Sequence, residues 1–309
     1  MPLIPLETNG TFFGSGSSDY DAQLFQNRKG ELVAVYSSDD GSARGRALVR
    51  YSTDRGVTWS PRTALFSTAT HNDGIISKST AAMWEWSGRT LDDVLYLVFH
   101  LRPVDSTRMG FTKCDISTAS NVTAFSNWKS ANGTPTPSSG GATDGSGFDF
   151  IGQTYHIDPS VAVRGAGDVT VMLINSTANR YVYAAHWDGA SWSSGATYVI
   201  RGPSGNAALW KLWYSAQAGW VAGGGMVGVD RQNYVAVAKC SAGADTTSSA
   251  NWTRMGGTAG QDTVIGKGTN ASFSAWIMGG IMADGVQFMA AAVSDNLIGG
   301  NNRAFWNRW

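Results

Sequence analysis

Apolar residues recur along this chain in short runs separated by clusters of Gly, Asp, Asn and Ser. The runs are rich in Val, Tyr, Trp and Ala, and none carries a 3.6-residue period between helix caps. Such a pattern predicts strands and tight turns rather than helices. The runs come in recurring pairs: Ala22–Phe25 with Leu32–Tyr36, Ala81–Trp86 with Val94–His100, Ser160–Val163 with Val169–Ile174, and Leu209–Tyr214 with Trp220–Val229. A fifth unit holds Phe273–Met278, Val286–Val293 and Ala304–Trp306.

A polar turn and then a Trp follow the pairs. Lys113-Cys114-Asp115 leads through a Ser/Thr/Ala-rich stretch to Asn127-Trp128-Lys129, and Lys239-Cys240-Ser241 leads likewise to Asn251-Trp252-Thr253. Weaker copies end at Trp192 and at Trp59. Repeats of four short strands predict an all-β chain, a single β-propeller of five four-stranded blades. The expected blades are 18–66, 74–129, 154–200, 207–255 and 270–309, with 131–153 as a long loop. The last blade runs short of a fourth strand. Residues 1–13 are expected to supply it and close the ring, which would cover an open edge. Six blades is the alternative, with a degenerate one inside 131–153.

Charge narrows the function. The chain has 23 basic and 23 acidic side chains, and only 15% of its residues are charged, against about 25% for an average soluble domain. A nucleic-acid partner would call for a basic excess. No apolar run reaches the roughly 18 residues of a membrane span. The two cysteines make neither a disulfide framework nor a zinc site, so they read as reduced packing residues, and no cofactor or metal is expected. The start of the chain carries no recognisable signal peptide. Twenty Asp stand against three Glu, namely Glu7, Glu31 and Glu85.

Ser52-Thr53-Asp54-Arg55-Gly56-Val57-Thr58-Trp59 fits Ser-x-Asp-x-Gly-x-Thr-Trp. It resembles the Asp-box of sialidase-like (BNR-repeat) propellers. The likeness extends over roughly residues 18–66 and implies a propeller fold. By the same likeness Asp39 or Asp40, after the second strand, stands where that family carries its catalytic acid. The resemblance implies an Arg triad and a Tyr–Glu pair as well, and here this sequence departs from it. No Glu follows Glu85, and Tyr214 on an inner strand has none to pair with.

In a propeller the inner strands and the loops after the second strands surround the mouth of the central channel. The candidate catalytic residues there are Asp39, Asp40, Asp158, His156 and Tyr214. The candidate substrate-binding residues are Asp21, Lys78, His100, Arg102, Tyr155, Lys211 and Trp213. Carboxylates, imidazoles and aromatic faces converging in a cleft suit a sugar. The imidazoles can also act as bases, and Lys78 and Lys211 can neutralise an anionic sugar or pair with an aspartate. The favoured reading is a carbohydrate-recognising propeller, surface-exposed, extracellular or on a virion or phage-tail-like appendage. Its expected partner is a glycan or polysaccharide, with receptor binding as its role and homo-oligomeric assembly as a further expectation. The alternatives are a glycan-cleaving enzyme, either a sialidase-like glycosidase or a polysaccharide lyase, and a structural protein-interaction propeller.

Overall fold

The computed structural model describes residues 19–39, 45–65, 86–100, 109–135, 149–151, 156–175, 181–194, 199, 207–216, 219–227, 233–255, 267–268, 275–281, 287–294 and 302–308. The chain forms two compact units, Met1–Gln153 and Thr154–Trp309. Every sheet among the described residues is built on an antiparallel meander whose strands follow sequence order, and two short strands add to it off that path.

Among the described residues the first unit holds two sheets and the second three. In the first unit, one is β1 (Asp19–Gln26), β2 (Leu32–Asp39), β3 (Gly45–Ser52) and β4 (Thr63–Ala64). The other is β5 (Trp86–Leu91), β6 (Val94–His100), β7 (Met109–Asp115) and β8 (Trp128–Lys129), with β9 (Asp149–Ile151) also paired to β7. Those of the second unit are β10 (His156–Gly165), β11 (Asp168–Asn175), β12 (Val182–Trp187) and β13 (Trp192–Ser194); β14 (Ala207–Ser215), β15 (Gly219–Val227), β16 (Asn233–Cys240) and β17 (Trp252–Met255), with β18 (Lys267–Gly268) on β16; and β19 (Ala275–Ile281), β20 (Gln287–Ser294) and β21 (Asn302–Arg308). Sheets of this kind make up propeller-like folds.

Two expectations shift in detail. Of the inner strand expected at Ala81–Trp86, residues 81–85 lie outside the described residues; the described strand β5 runs on from Trp86 through Gly88 to Leu91. The turn then falls on Asp92 and Asp93, whose φ values of 50° and 59° suit a two-residue hairpin. Gly88 belongs in this strand because a side chain there would collide with its neighbour. A Cβ on it would sit 2.4 Å from the Phe25 ring and 2.8 Å from Leu97. The stretch 131–153, read as loop, ends in the strand β9.

The middle strands are apolar without alternation. Leu95 through Phe99 are all buried on β6, as expected of a strand covered on both faces. In the first unit Phe25, Val35, Val49, Trp86, Phe99, Cys114, Val122 and Trp128 share one core. In the second, Val161, Val171, Leu212, Trp220, Cys240 and Trp252 are buried.

The sequence repeat is a structural repeat. Cys114 pairs with Trp128 and Cys240 with Trp252. The Asn127 amide donates to the Asn121 carbonyl at 2.9 Å and the Trp128 indole to Val122 at 2.9 Å. In the other copy Asn251 donates to Asp245 at 2.9 Å and Trp252 to Thr246 at 2.8 Å. Each donor reaches back six residues over a short 3₁₀ turn, so one Asn-Trp dipeptide closes the loop and fills the space beneath it. Both thiols are free, and burial raises them, Cys114 to about 12 and Cys240 to about 11. They are packing groups with little thiolate character.

The Ser52–Trp59 turn is held locally. The Gly56 amide donates to Ser52 Oγ at 2.7 Å, the Thr58 amide to Asp54 Oδ1 at 2.8 Å and the Trp59 indole to the Gly56 carbonyl at 3.2 Å. The Thr58 hydroxyl, then its amide and the Ser52 hydroxyl, hold the exposed Asp54 carboxyl down at about 2. Gly56 takes φ +91°, a region L side chains avoid.

Neighbouring sheets within each unit are joined by a repeated contact. The Asn27 amide, in the β1–β2 hairpin, donates to the Ile116 carbonyl at 2.8 Å. Arg164, at the end of β10, donates to the Ala242 carbonyl. Ile116 and Ala242 each lie two residues after the repeat cysteine, so the same acceptor is used twice. Glu31 adds to the first of these contacts, accepting the Ala119 amide at 2.9 Å and the Asn27 amide at 2.7 Å. The Ala119 amide is the main cause that lowers the Glu31 carboxyl below its ordinary value of 4.5. A depressed carboxyl stabilises the fold above the unfolded-state value, and that contribution is lost as pH falls through the folded-state value. Thermal melts of wild type and Glu31→Gln are therefore expected to converge in acid and to separate above about pH 4.5, the ordinary value for a Glu side chain. A constant gap at all pH values would contradict this role.

Candidate functional site

Three inner strands share one irregularity. On β1, Tyr20 pairs with Ser37 and Gln23 with Val35, so Asp21 and Ala22 stand against Tyr36 alone. On β10, Ile157 pairs with Ile174 and Ser160 with Met172, so Asp158 and Pro159 stand against Leu173. On β14, Ala208 pairs with Gly225 and Lys211 with Gly223, so Leu209 and Trp210 stand against Gly224. Each is a two-against-one β-bulge a few residues from the start of its strand. Bulges re-aim side chains and are common beside active sites. In the described part of β5–β6 and β19–β20 the register is regular.

The bulges lie at the end of each sheet where the inner strand begins and the second strand finishes. In the first unit that end carries Asp19 and Asp21 on β1, Asp39 at the close of β2, and His100 at the close of β6. In the second unit His156 opens β10 and pairs directly with Asn175, the last residue of β11. Asp158 follows in the bulge.

The next inner strand is tied to this one. The Leu212 amide on β14 donates to Ser160 Oγ at 2.9 Å, a buried bond. Lys211, half-buried, precedes Leu212 and directly follows the β14 bulge. The second unit therefore carries His156 and Asp158 on β10, Asn175 at the close of β11 and Lys211 on β14, with β10 and β14 joined by the Ser160–Leu212 bond. The first unit uses the same device, with the Gly88 amide donating to Gln23 Oε1 at 3.4 Å just after the β1 bulge.

Other expected residues are placed elsewhere. Tyr214 pairs with Trp220 beside the β14–β15 hairpin, at the opposite end of its sheet from the bulge, with ring centroids 4.8 Å apart. Trp213 is its half-buried neighbour on the strand. The structure does not bring either to the bulge. Asp40, Lys78, Arg102 and Tyr155 lie outside the described residues, as does the stretch 1–13 expected to close the ring. Among the described residues no group of three His, Cys, Asp or Glu side chains is arranged to hold a metal ion.

Glu31, one of the three glutamates, is occupied by the inter-sheet contact above. A hydroxyl–imidazole–carboxylate line at the hairpin end of the third sheet was not foreseen. His186 Nδ1 lies 3.0 Å from Thr170 Oγ1, which is 3.1 Å from Thr246 Oγ1, and His186 Nε2 is 3.8 Å from Asp168 Oδ1. Thr170 is fully buried, so no substrate reaches it. The line braces the third sheet against the loop of the fourth.

No family model matches the chain, and no curated protein does. Among solved structures it is similar to a polysaccharide lyase of the PL25 ulvan lyase family bound to -[GlcA(1-4)Rha3S]-, with TM-score 0.61 and 11% identity over 92% of this chain and 63% of that one. It is also similar to the polysaccharide lyase Uly1, with TM-score 0.54 and 13% identity over 93% and 57%. A weaker likeness, TM-score 0.49 at 14% identity over 94% and 84%, is to a glycosyl hydrolase from Bacteroides ovatus. The chain thus spans less than two thirds of the length of either lyase, and at these identities the likeness shows the fold alone, an all-β and propeller-like one.

Proposed function

We propose that this protein acts on a polysaccharide at the bulged end of its sheets and cleaves it, rather than only binding it. The observation that carries the reading is the His156–Asn175 pair beside the Asp158 bulge, joined through Ser160 to the strand of Lys211. The set suits β-elimination from a uronate sugar. Glycoside hydrolysis calls for two carboxyl groups about 5–9.5 Å apart, and this part of the third sheet offers one Asp. Elimination needs one base and a group that neutralises the sugar carboxylate.

In this scheme His156 takes the proton on the carbon next to the carboxylate. The electron pair of that C–H bond forms a C=C bond, the C–O bond on the next carbon breaks, and the leaving oxygen takes a proton from solvent water while His156 returns its own proton to solvent. Lys211 and Asn175 hold the carboxylate, whose negative charge grows as the proton leaves, and Asp158 orients the sugar. The fold likeness to two lyases supports the reading, one of them bound to a repeat whose GlcA unit is a uronate.

We read the ring as five blades, with the Ser52–Trp59 turn an Asp-box and residues 1–13 pairing with β21. Deleting residues 1–13 is then expected to lower the melting temperature sharply, and an unchanged melt would rule that closure out.

The functional test is incubation with a panel of neutral and uronate-containing polysaccharides, followed by product mass. Elimination leaves an unsaturated fragment one water lighter than the hydrolytic product. Products of hydrolytic mass would replace elimination with hydrolysis. Binding without any product would restore the recognition reading.

A further inference from the structure

We propose that Ser160 is a positioning residue that sets the Asp158 bulge and Lys211 at a fixed separation across two sheets. The inference rests on reading that end as the polysaccharide site. Ser160 is 2% exposed, and its hydroxyl oxygen accepts the Leu212 backbone amide at 2.9 Å. Asp158 lies two residues before Ser160, and Lys211 one residue before Leu212. The bond thus joins the two segments two residues from Asp158 and one residue from Lys211.

Two features make this more than a packing contact. An inner strand with a bulge has lost its regular ladder there, so its register against the next sheet needs an anchor. The anchor also recurs at the equivalent place in the first unit, where Gln23 takes the same step after the Asp21 bulge and accepts the Gly88 amide. Different side chains, Ser and Gln, supply the acceptor in the two places. What recurs is the position after the bulge and a bond to the neighbouring inner strand's backbone.

A displacement of about 1 Å at a reacting centre can cost on the order of a hundredfold in rate. Ser160→Ala is expected to lower kcat on the preferred panel polysaccharide about tenfold or more, with Ser160→Thr restoring most of it. Because Ser160 acts through Lys211, adding Ser160→Ala to Lys211→Ala is expected to cost little beyond Lys211→Ala alone. Exchange of the Leu212 amide should quicken in Ser160→Ala. A lowered melting temperature with kcat and KM unchanged, or fully additive effects in the double variant, would overturn the proposal. Should Ser160→Ala not fold, Ser160→Cys fills the space and weakens the acceptor, and the same kcat loss is expected or the proposal fails. Wild-type protein that cleaves nothing on the panel would overturn the functional reading itself, before any variant is made.

Discussion

His156→Ala is expected to lower polysaccharide cleavage by about a hundredfold to ten-thousandfold, the usual contribution of a positioned general base. Asp158→Asn is expected to lose less, because its role is to orient the sugar. Both should fold, since His156 opens its strand and Asp158 lies in a bulge that already interrupts the ladder. Binding of the polysaccharide should survive His156→Ala, giving a kcat effect with KM little changed, the pattern of an interaction made in the transition state. Full activity in His156→Ala would remove this residue from the reaction.

The second large effect is structural. Trp128 is fully buried in the core of the first unit, and its indole satisfies the Val122 carbonyl. Trp128→Ala removes that volume and leaves a cavity, which costs about 3–5 kcal/mol. It also strands the Val122 carbonyl, adding about 1–3 kcal/mol if water cannot reach it. Trp128→Phe keeps most of the apolar contact and should cost less, dominated by the lost bond. Denaturant midpoints of the three proteins check this order. A loss under about 1 kcal/mol for Trp128→Ala would mean the repeat does not hold the sheet as described, because core truncations of this size rarely cost so little. Trp252, with the same bond to Thr246, is the natural comparison in the second unit.

The strands and their order were legible because buried middle strands show as unbroken apolar runs and the turns carry Gly, Asp and Asn. The Asn-Trp repeat was legible for a physical reason as well: two donors at fixed spacing close one loop, so the dipeptide and its distance from the cysteine recur. The extension of β5 past Trp86 was not, because Gly88 and Arg89 look like a turn until the Phe25 ring is seen to need the space. Site residues were legible by type and by strand end. The bulges were not, since nothing in Tyr-Asp-Ala-Gln or Ala-Leu-Trp-Lys marks an extra residue. Only the Pro in Ile-Asp-Pro-Ser hinted at one, as a residue that cannot donate to the ladder. Tyr214 and the His156 group share no such end because strand length, invisible in the apolar pattern, puts Tyr214 beside the hairpin. The role of Ser160 was hidden for another reason: its bond goes to a backbone amide 52 residues away.

The site itself can be located directly. Hydrogen–deuterium exchange of the full chain, with and without a uronate-containing oligosaccharide, is predicted to show protection at residues 156–160, 173–175 and 207–212. Protection confined to the opposite ends of the same sheets, at 164–168, 214–220 and 241–252, or no protection anywhere, would contradict the account.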